Sequence, residues 1–330
     1  MNNYYKSSPE KMKELLKHYH LQDSEITKLE GYGSLNYYIK DKDNKHYVLK
    51  HYPDPSELDL VQAESEIINT ISGKLPFKIP INCSGKQTSV HQYADKSFSR
   101  LLPYIEGSLL SKVKHSPGLL YDFGKSIAEL DRSLEGIRNA EIKSRKFVWD
   151  LQYCLLNRSK IKYITDPSKA KLVEYYFDLF EHFVLPELAD FRYSIIHNDI
   201  NDYNILTDGN KITGVIDFGD ITYAPLVNEI AIALAYIMLG KEKPFETANQ
   251  VIKGYQSLYP LNKEELKLLY YLIPARLCTS VCNSAEFKAK GEDTEYILIN
   301  EKPAWKLLEK WISYNPVQVK NRFLTAAGYP

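Results

Sequence analysis

The residues best suited to chemistry lie in one stretch of the chain, residues 194–220. Two short apolar runs each lead into an acidic loop: the first loop carries His197, Asp199 and Asn204, and the second carries Asp-Phe-Gly-Asp at 217–220. The turn sequence Thr-Asp-Gly-Asn between them is typical of a hairpin, so we expect one small β-unit to hold these groups together. Two carboxylates and an amide oxygen suit phosphoryl transfer, because one carboxylate orients the accepting hydroxyl while an Asn and an Asp bind metal at the phosphates.

The composition is that of an ordinary globular protein. The chain has 330 residues, enough for two domains, and its 42 basic residues balance 42 acidic ones. There is thus no net charge to attract nucleic acid or an anionic membrane, and no apolar run long enough to span a bilayer. Cys278 and Cys282 lie one helical turn apart, which could suggest a metal pair but is more typical of buried thiols. Without a signal peptide at its start, the protein is expected in the reducing cytoplasm.

The first hundred residues are predicted to form a small β-rich unit with two helices. Ser8 is the expected N-cap of the first helix. The predicted helices cover residues 9–20 and 57–72, and the predicted strands include residues 26–29, 46–50, 88–93 and 97–104.

A turn with two glycines follows the first predicted strand. Its backbone N–H groups could approach phosphates, and we expect Gly31, Gly33, Ser34 and Asn36 to bind a nucleotide there. The alternative is a plain hairpin turn, which such glycine pairs also form.

A lysine and a glutamate in the next two elements suit the same purpose. Lys50 ends a strand just after the glycine turn and before a helix, where a lysine can bind donor phosphates. Glu64 lies inside the apolar stripe of that helix, where a carboxylate needs a partner. We expect Lys50 to be that partner, with Glu66 as the alternative carboxylate.

Helices dominate the rest of the chain, so we place a domain boundary at residues 105–107. The predicted helices cover residues 121–134, 147–156, 170–188, 230–239, 245–258, 263–282 and 302–311. The apolar helix at 230–239 is the expected core helix of this part.

The spacing His-x-Asp-x4-Asn followed by Asp-Phe-Gly resembles the catalytic and metal-binding segments of the protein-kinase-like superfamily. The chain resembles its aminoglycoside phosphotransferase and choline kinase branch, and more sharply the hydroxylysine kinases. Residues 198–206 resemble that family's Gly-Asp-Leu-Asn-Asp-x-Asn-Ile-Leu, and residues 215–220 its Ile-Leu-Asp-Phe-Gly-Asp. The family has Gly where this chain has Asn198. The asparagine would add a side chain beside the acceptor. The likeness spans nearly the whole chain but not the aminotransferase domain of some bacterial relatives.

The resemblance implies an α+β, bilobal kinase-like fold. Residues 1–105 would form a nucleotide-binding lobe with a small antiparallel sheet, and residues 106–330 a mostly helical catalytic and acceptor-binding lobe. It implies ATP or GTP as donor and Mg²⁺ as cofactor. Asp199 would take the proton of the acceptor hydroxyl, Asn204 and Asp217 would bind the metal, and Lys50 with Glu64 would hold the donor. Backbone groups of a hinge, among them those of Leu102 and Tyr104, would contact the base.

The acceptor is expected to be a small amino alcohol or hydroxy amino acid such as hydroxylysine. Acidic groups beside the catalytic loop would pair its ammonium, and Arg276 or Tyr223 would hold a carboxylate. The acidic candidates are Asp202, Asp220 and Glu229. The side chain of Asn198 is expected to lie beside them. The alternative for Asp202 and Glu229 is a capping role, and for Arg276 a structural ion pair.

Two other interpretations stay open at this point. The acceptor could be homoserine, choline, ethanolamine or an aminoglycoside, although neutral overall charge argues mildly against a polycationic drug. The chain could also be a kinase-like binding protein without turnover. Such proteins typically lose the lysine, the catalytic Asp or the metal Asp, and all three are present here.

Overall fold

The chain forms two compact units, each defined by the contacts among its own residues. A computed structural model describes residues 8–29, 31, 33–83, 90–291 and 299–330. One unit comprises Met1–Lys74 with Lys78–Glu106, and the other Leu75–Phe77 with Gly107–Pro330.

The first unit is built on a five-stranded antiparallel sheet. Its elements in chain order are α1 (Pro9–His18), β1 (Glu25–Leu29), β2 (Leu35–Lys40), β3 (His46–Tyr52), α2 (Leu58–Ile71), β4 (His91–Gln92) and β5 (Phe98–Pro103). The strand order is β1-β2-β3-β5-β4. Ser8 is confirmed as the N-cap of α1, since its hydroxyl accepts the N–H of Lys11 at 3.1 Å. Of the strand predicted at 88–93, residues 88 and 89 lie outside the described part of the chain.

The two faces of this sheet differ in character because side chains alternate along each strand. One face carries apolar residues, among them Ile39, Leu49 and Leu101, that form a core with Leu15 of α1. The register of β2, β3 and β5 aligns Asn36, Lys50 and Arg100, so these polar side chains share the opposite face.

The second unit is mostly helical. Its helices are α3 (Pro117–Leu134), α4 (Ala140–Ser144), α5 (Pro167–Phe183), α6 (Val227–Ile237), α7 (Pro244–Gln256), α8 (Lys263–Lys290), α9 (Glu301–Trp311) and α10 (Pro316–Ala326). Every residue of α6 is buried, as the apolar pattern predicted. The predicted helix at 147–156 is wrong: a 3₁₀ segment at Leu151–Tyr163 follows Asp150, whose carboxylate caps it. Within the residues placed by the structure, no helix is long and apolar enough to cross a membrane.

Five short strands form two sheets in this unit. They are β6 (Ser108–Leu109), β7 (Tyr193–Ile196), β8 (Ile205–Asp208), β9 (Lys211–Val215) and β10 (Thr222–Pro225). The expectation of one β-unit is therefore wrong: β7 pairs with β10, which was not predicted, while β8 and β9 form the expected hairpin and β8 also pairs with β6.

Helix α8 contains a proline, and a distant tryptophan compensates for it. Pro274 lacks the N–H that would bond to the C=O of Tyr270 four residues earlier. The buried Trp311 of α9 donates its Nε1–H to that carbonyl at 3.1 Å. This contact lets α8 continue through Arg276, which lies at the site described next.

Candidate active site

The carboxylate of Asp199 is held from two sides. The Nδ2 of Asn204 donates to its Oδ2 at 2.7 Å and to the Asp199 backbone oxygen at 2.9 Å. The Nη2 of Arg276 donates to its Oδ1 at 3.0 Å. Burial raises the pKa of Asp199 to about 7, against the charge of Arg276, and the charges of Asp220 and Asp217 raise it further.

The loop that carries Asp199 is tied to the Asp-Phe-Gly segment through backbone groups. The Nε2 of His197 donates to the C=O of Ile216 at 3.0 Å, and the N–H of Ile216 donates to the C=O of Asn204 at 2.9 Å. The residue before Asp217 thus contacts both ends of the catalytic loop, which brings together the residues that the motif spacing singled out.

Glu229 holds the start of this loop by accepting its backbone N–H groups. It lies on α6 with no exposed surface, and its two oxygens accept the N–H groups of His197 at 3.1 Å and Asn198 at 2.8 Å. The expectation that Glu229 binds the acceptor is therefore wrong, because both oxygens are already used and no solvent reaches them. Burial raises its pKa to about 8, opposed by these two N–H groups.

Asn198 has a backbone conformation that favours glycine. Its φ is +64°, in the left-handed region that Gly adopts freely and Asn more readily than most residues. Its side chain is fully buried and donates to the C=O of Trp149 at 3.4 Å. The side chain is thus directed at the protein interior and is not open to an acceptor, contrary to expectation.

The chemistry of Asn204 and Asp217 fits a divalent cation. Both N–H bonds of the Asn204 amide are donated to Asp199, which leaves its oxygen as the atom for a metal. Asp217 is exposed and has a left-handed backbone, with φ 61° and ψ 71°, a strained conformation for a residue with a side chain. Among the described residues, no group of three His, Cys, Asp or Glu side chains could hold a metal alone. A metal at these two residues would need further oxygen ligands, such as phosphates.

Arg145, which the sequence did not single out, holds the segment that follows Asp217. Its Nη1 donates to the C=O groups of Gly219 and Ile221, each at 2.9 Å, and its Nη2 lies 4.0 Å from Asp220. Its guanidinium stacks on the ring of Phe147 at 3.8 Å. No motif surrounds Arg145, so no signal in the sequence indicated it.

Arg276 was expected to bind an acceptor carboxylate, and its guanidinium is instead used within the protein. Besides Asp199, it donates to the C=O of Trp149 at 2.6 Å and to the hydroxyl of Tyr236 at 3.3 Å. Only 1% of its side chain is exposed. An acceptor would have to displace an internal partner to bind it.

Two further acceptor candidates are Asp202, which lies between Asp199 and Asn204, and Tyr223, which lies on β10. The C=O of Asp202 accepts the N–H of Ser111, and burial raises the pKa of its carboxyl to about 6, opposed by the charge of Lys241. Tyr223 is half-buried on β10, and its ring centre lies 5.7 Å from the Nζ of Lys143. Their contact with an acceptor stays a prediction.

In the first unit, Asn36 organises the glycine turn. The hydroxyl of Ser34 donates to the Oδ1 of Asn36 at 2.9 Å. A Cβ at Gly31 would lie 1.9 Å from the Nδ2 of Asn36, so any other residue there would displace that amide. Gly33 has a φ of +76°, which also favours glycine.

Glu64 has a different main partner from the one expected. Both of its oxygens accept the Nη2 of Arg100, at 2.8 and 2.9 Å, and both side chains are buried. The sequence showed Arg100 within an apolar strand, but not that β5 would bring it opposite α2. Lys50 is the register partner of Arg100 on β3, so the lysine shares this face of the sheet.

The hinge residues named from the sequence use their backbone groups within the sheet. The N–H of Tyr104 donates to the C=O of His46 at 3.0 Å, which makes them a hydrogen-bonded pair. Since such pairs alternate along an antiparallel ladder, Leu102 and its partner Val48 form another. Contact of the hinge at residues 102–105 with a base stays a prediction, and within that range the C=O of Pro103 and the N–H of Ile105 are the groups that face away from β3.

Comparison with known proteins identifies a family and a fold that match this chain. Residues 25–268 match the model of the phosphotransferase enzyme family, APH. The hydroxylysine kinase of Danio rerio is 27% identical over 328 residues, covering 94% of this chain and 92% of that protein.

Two solved structures share the fold at low sequence identity. An amicoumacin kinase, solved in complex with AMP-PNP and Ca²⁺, is 17% identical with a TM-score of 0.69, covering 94% of this chain and 97% of that chain. A microcompartment-associated aminopropanol kinase is 17% identical with a TM-score of 0.68, covering 97% and 98%. The kinase-like α+β fold predicted from the sequence is confirmed. The chain therefore belongs to the phosphotransferase enzyme family, and it is a small-molecule kinase that acts on a hydroxyl group.

Proposed function

We propose that the protein transfers the γ-phosphoryl group of ATP or GTP to the hydroxyl of a small hydroxy amino acid, with hydroxylysine as the first candidate. The observation that carries this proposal is the Asp199 carboxylate, held by Asn204 and Arg276 beside the Asp217 segment. The similarity to hydroxylysine kinase of Danio rerio over 94% of the chain supports the choice of acceptor.

In this mechanism the protein supplies position and charge rather than covalent chemistry. The acceptor oxygen forms a bond to the γ-phosphorus while the bond from that phosphorus to the β-phosphate oxygen breaks, and the nucleoside diphosphate leaves. Asp199 orients the acceptor hydroxyl and takes its proton. Lys50, beside Arg100 on the polar face of the sheet, steadies the donor phosphates.

Magnesium would be held by the Asn204 oxygen and the Asp217 carboxylate, and it would neutralise charge that develops on the phosphates. The donor base would bond to the C=O of Pro103 and the N–H of Ile105. Residues 1–105 are thus assigned to nucleotide binding and residues 106–330 to catalysis and acceptor binding.

The distribution of charge supports a zwitterionic acceptor over a polycation. Asp199 is bonded to Arg276, and Asp220 lies 4.0 Å from Arg145, so two of the acidic groups are already offset by arginines. A polycationic drug needs a surplus of carboxylates, whereas an amino acid brings its own balance of charges.

The test is a panel assay with purified protein, ATP or GTP, Mg²⁺, and acceptors from hydroxylysine through homoserine, choline and ethanolamine to kanamycin. We expect phosphorylated hydroxylysine, and the two nucleotides assayed separately decide the donor. Preference for kanamycin or homoserine would contradict the acceptor assignment. Nucleotide binding without product from any acceptor would favour a binding protein.

The role of Asp199 has its own test. Asp199→Asn is expected to fold and to bind nucleotide, while kcat falls on the order of 10²–10⁴, the usual effect of removing a general base. Circular dichroism and nucleotide titration are the controls. Nearly full turnover in this variant would overturn the role given to Asp199.

We also propose that the protein works in the reducing cytoplasm. All four cysteines are free thiols: Cys83 is exposed, and Cys154, Cys278 and Cys282 are buried. Burial raises the pKa of the Cys278 and Cys282 thiols, which disfavours the thiolates that a metal would need.

A further inference from the structure

Arg276 connects the proposed base to the body of the second unit. It bonds to Asp199 at one end, and the C=O of Trp149 and the hydroxyl of Tyr236 hold the rest of its guanidinium. The rings of Trp149 and Tyr236 each lie 5.4 Å from its Cζ. The guanidinium is therefore fixed in its plane and cannot follow a mobile carboxylate.

This anchoring restricts the carboxylate of Asp199 as well. Arg276 bonds to Oδ1 and Asn204 to Oδ2, so rotation of the carboxylate would break one bond or the other. Each oxygen keeps a second lone pair with which to accept an O–H. We propose that Arg276 is a positioning residue, which fixes the direction in which Asp199 faces the acceptor hydroxyl; this rests on the function proposed above.

The burial of the two partners argues against a merely structural ion pair. Only 1% of the Arg276 side chain is exposed, whereas 22% of the Asp199 side chain is. Removing a guanidinium from water is costly, and a partly solvated carboxylate offsets that cost less well than a buried one.

Another arginine of the same unit provides a contrast. Arg192 is 42% exposed and donates through Nε and Nη2 to Glu265, whose side chain is wholly buried. Glu265 also accepts the backbone N–H of Asn262 in the capping box that begins α8. In that structural pair the acid is the buried member, and at Arg276 the order is reversed.

The first measurement is the kcat of Arg276→Gln. We expect it to fall about 10- to 100-fold, as is usual when a partner that orients a functional group is removed. The KM for nucleotide is expected to stay unchanged. Arg276→Lys should give an intermediate kcat, because lysine keeps the charge but not the planar fork that spans Asp199 and Trp149. Arg192→Gln is the matched control, expected to lower Tm and to leave kcat unchanged.

The decisive measurement repeats Arg276→Gln in an Asp199→Asn background, with single-turnover rates. A residue that acts only through Asp199 has nothing left to position there, so the double variant should react no more slowly than Asp199→Asn. The inference would be overturned if Arg276→Gln lowered the rate by the same factor in both backgrounds. It would also be overturned if Arg192→Gln lowered kcat as much as Arg276→Gln does. If Arg276→Gln does not fold by circular dichroism, Arg276→Lys in the two backgrounds decides by the same criterion.

The same variants separate this inference from the proposed function. Full kcat in Arg276→Gln together with an inactive Asp199→Asn would overturn the positioning role alone. An active Asp199→Asn would overturn the role of Asp199 and, with it, that of Arg276.

Discussion

Burial raises the pKa of several carboxyl groups in the second unit, among them those of Asp131, Asp199 and Glu229. Asp131 of α3 is fully buried and accepts the hydroxyl of Tyr255 at 2.6 Å, while its other oxygen has no hydrogen-bond partner. The charge of Glu229 raises its pKa further. Such a group stabilises the fold while it is protonated.

The pH dependence of stability follows from this shift. A carboxyl with a raised folded-state pKa contributes stability that is complete below its unfolded pKa, about 4, and that is lost as the pH rises toward the folded-state pKa. We expect Tm to fall from about pH 5 to about pH 8, and Asp131→Asn to reduce this slope, because Asn still accepts from Tyr255 but carries no charge. Thermal melts followed by circular dichroism measure both slopes.

Asp178→Asn is the control, since that side chain is 62% exposed and pairs with Arg158 at the surface. Parallel slopes for wild type and Asp131→Asn would show that Asp131 does not titrate in this way.

At the scale of elements, α2 and the sheet meet through one buried ion pair. Arg100 of β5 and Glu64 of α2 leave 2% and 4% of their side chains exposed. Breaking a buried pair leaves a charge without compensation, which typically costs more than the pair gains.

Arg100→Met is therefore expected to lower the free energy of unfolding by about 3–5 kcal/mol. Adding Glu64→Gln should restore part of this loss, because the uncompensated charge is gone. Denaturant titration measures the three values. Lys243→Ala, which breaks an exposed pair with Glu246, should change stability by less than about 1 kcal/mol. A similar small effect for Arg100→Met would contradict the expectation.

Helices α3 and α7 approach each other through two glycines. A Cβ on Gly124 would lie 1.9 Å from the C=O oxygen of Val251, and one on Gly254 would lie 1.9 Å from that of Tyr121. The contact is between backbones, so neither helix can yield by turning a side chain.

Gly124→Ala is expected to destabilise the protein by about 1–3 kcal/mol, the usual cost of overpacking, despite the better helix propensity of alanine. Gly118 lies in the same helix with no closer neighbour to its Cβ than 3.8 Å. Gly118→Ala is thus the matched control and should be neutral or stabilising. A Tm for Gly124→Ala equal to or above that of Gly118→Ala would refute the close contact.

At the scale of the whole molecule, the residues predicted to bind the donor and those predicted to act in catalysis belong to different units. Lys50 and the glycine turn lie in the first unit, and Asn204 and Asp217 lie in the second. Any ligand that binds only the folded protein stabilises it in proportion to its affinity.

We therefore expect a non-hydrolysable ATP or GTP analogue to raise Tm, and Mg²⁺ to raise it further through Asn204 and Asp217. At about 100 times its dissociation constant a ligand contributes roughly 2.7 kcal/mol. Asp217→Asn should lose the Mg²⁺-dependent part of the shift, as EDTA should for the wild type. An unchanged Mg²⁺-dependent shift in Asp217→Asn would remove Asp217 from the proposed metal site.

Much of the fold was predictable because its causes are local. Helix positions follow from apolar residues at helical spacing, and the N-cap at Ser8 depends on a residue three positions away. Bounds were less accurate where propensity was overridden: α8 continues to Lys290 although Pro274 lies within it, and no strand was predicted where β10 lies.

What the sequence determined by itself is the chemistry: the spacing of Asp199, Asn204 and Asp217 within one short stretch predicts phosphoryl transfer. Only the tertiary structure decided which partners the charged side chains contact. Arg276 is 77 positions from Asp199, Arg145 is 74 from Gly219, and Arg100 is 36 from Glu64. A buried charge takes whichever partner the packing brings near, and that partner's distance along the chain is unrelated to its distance in space.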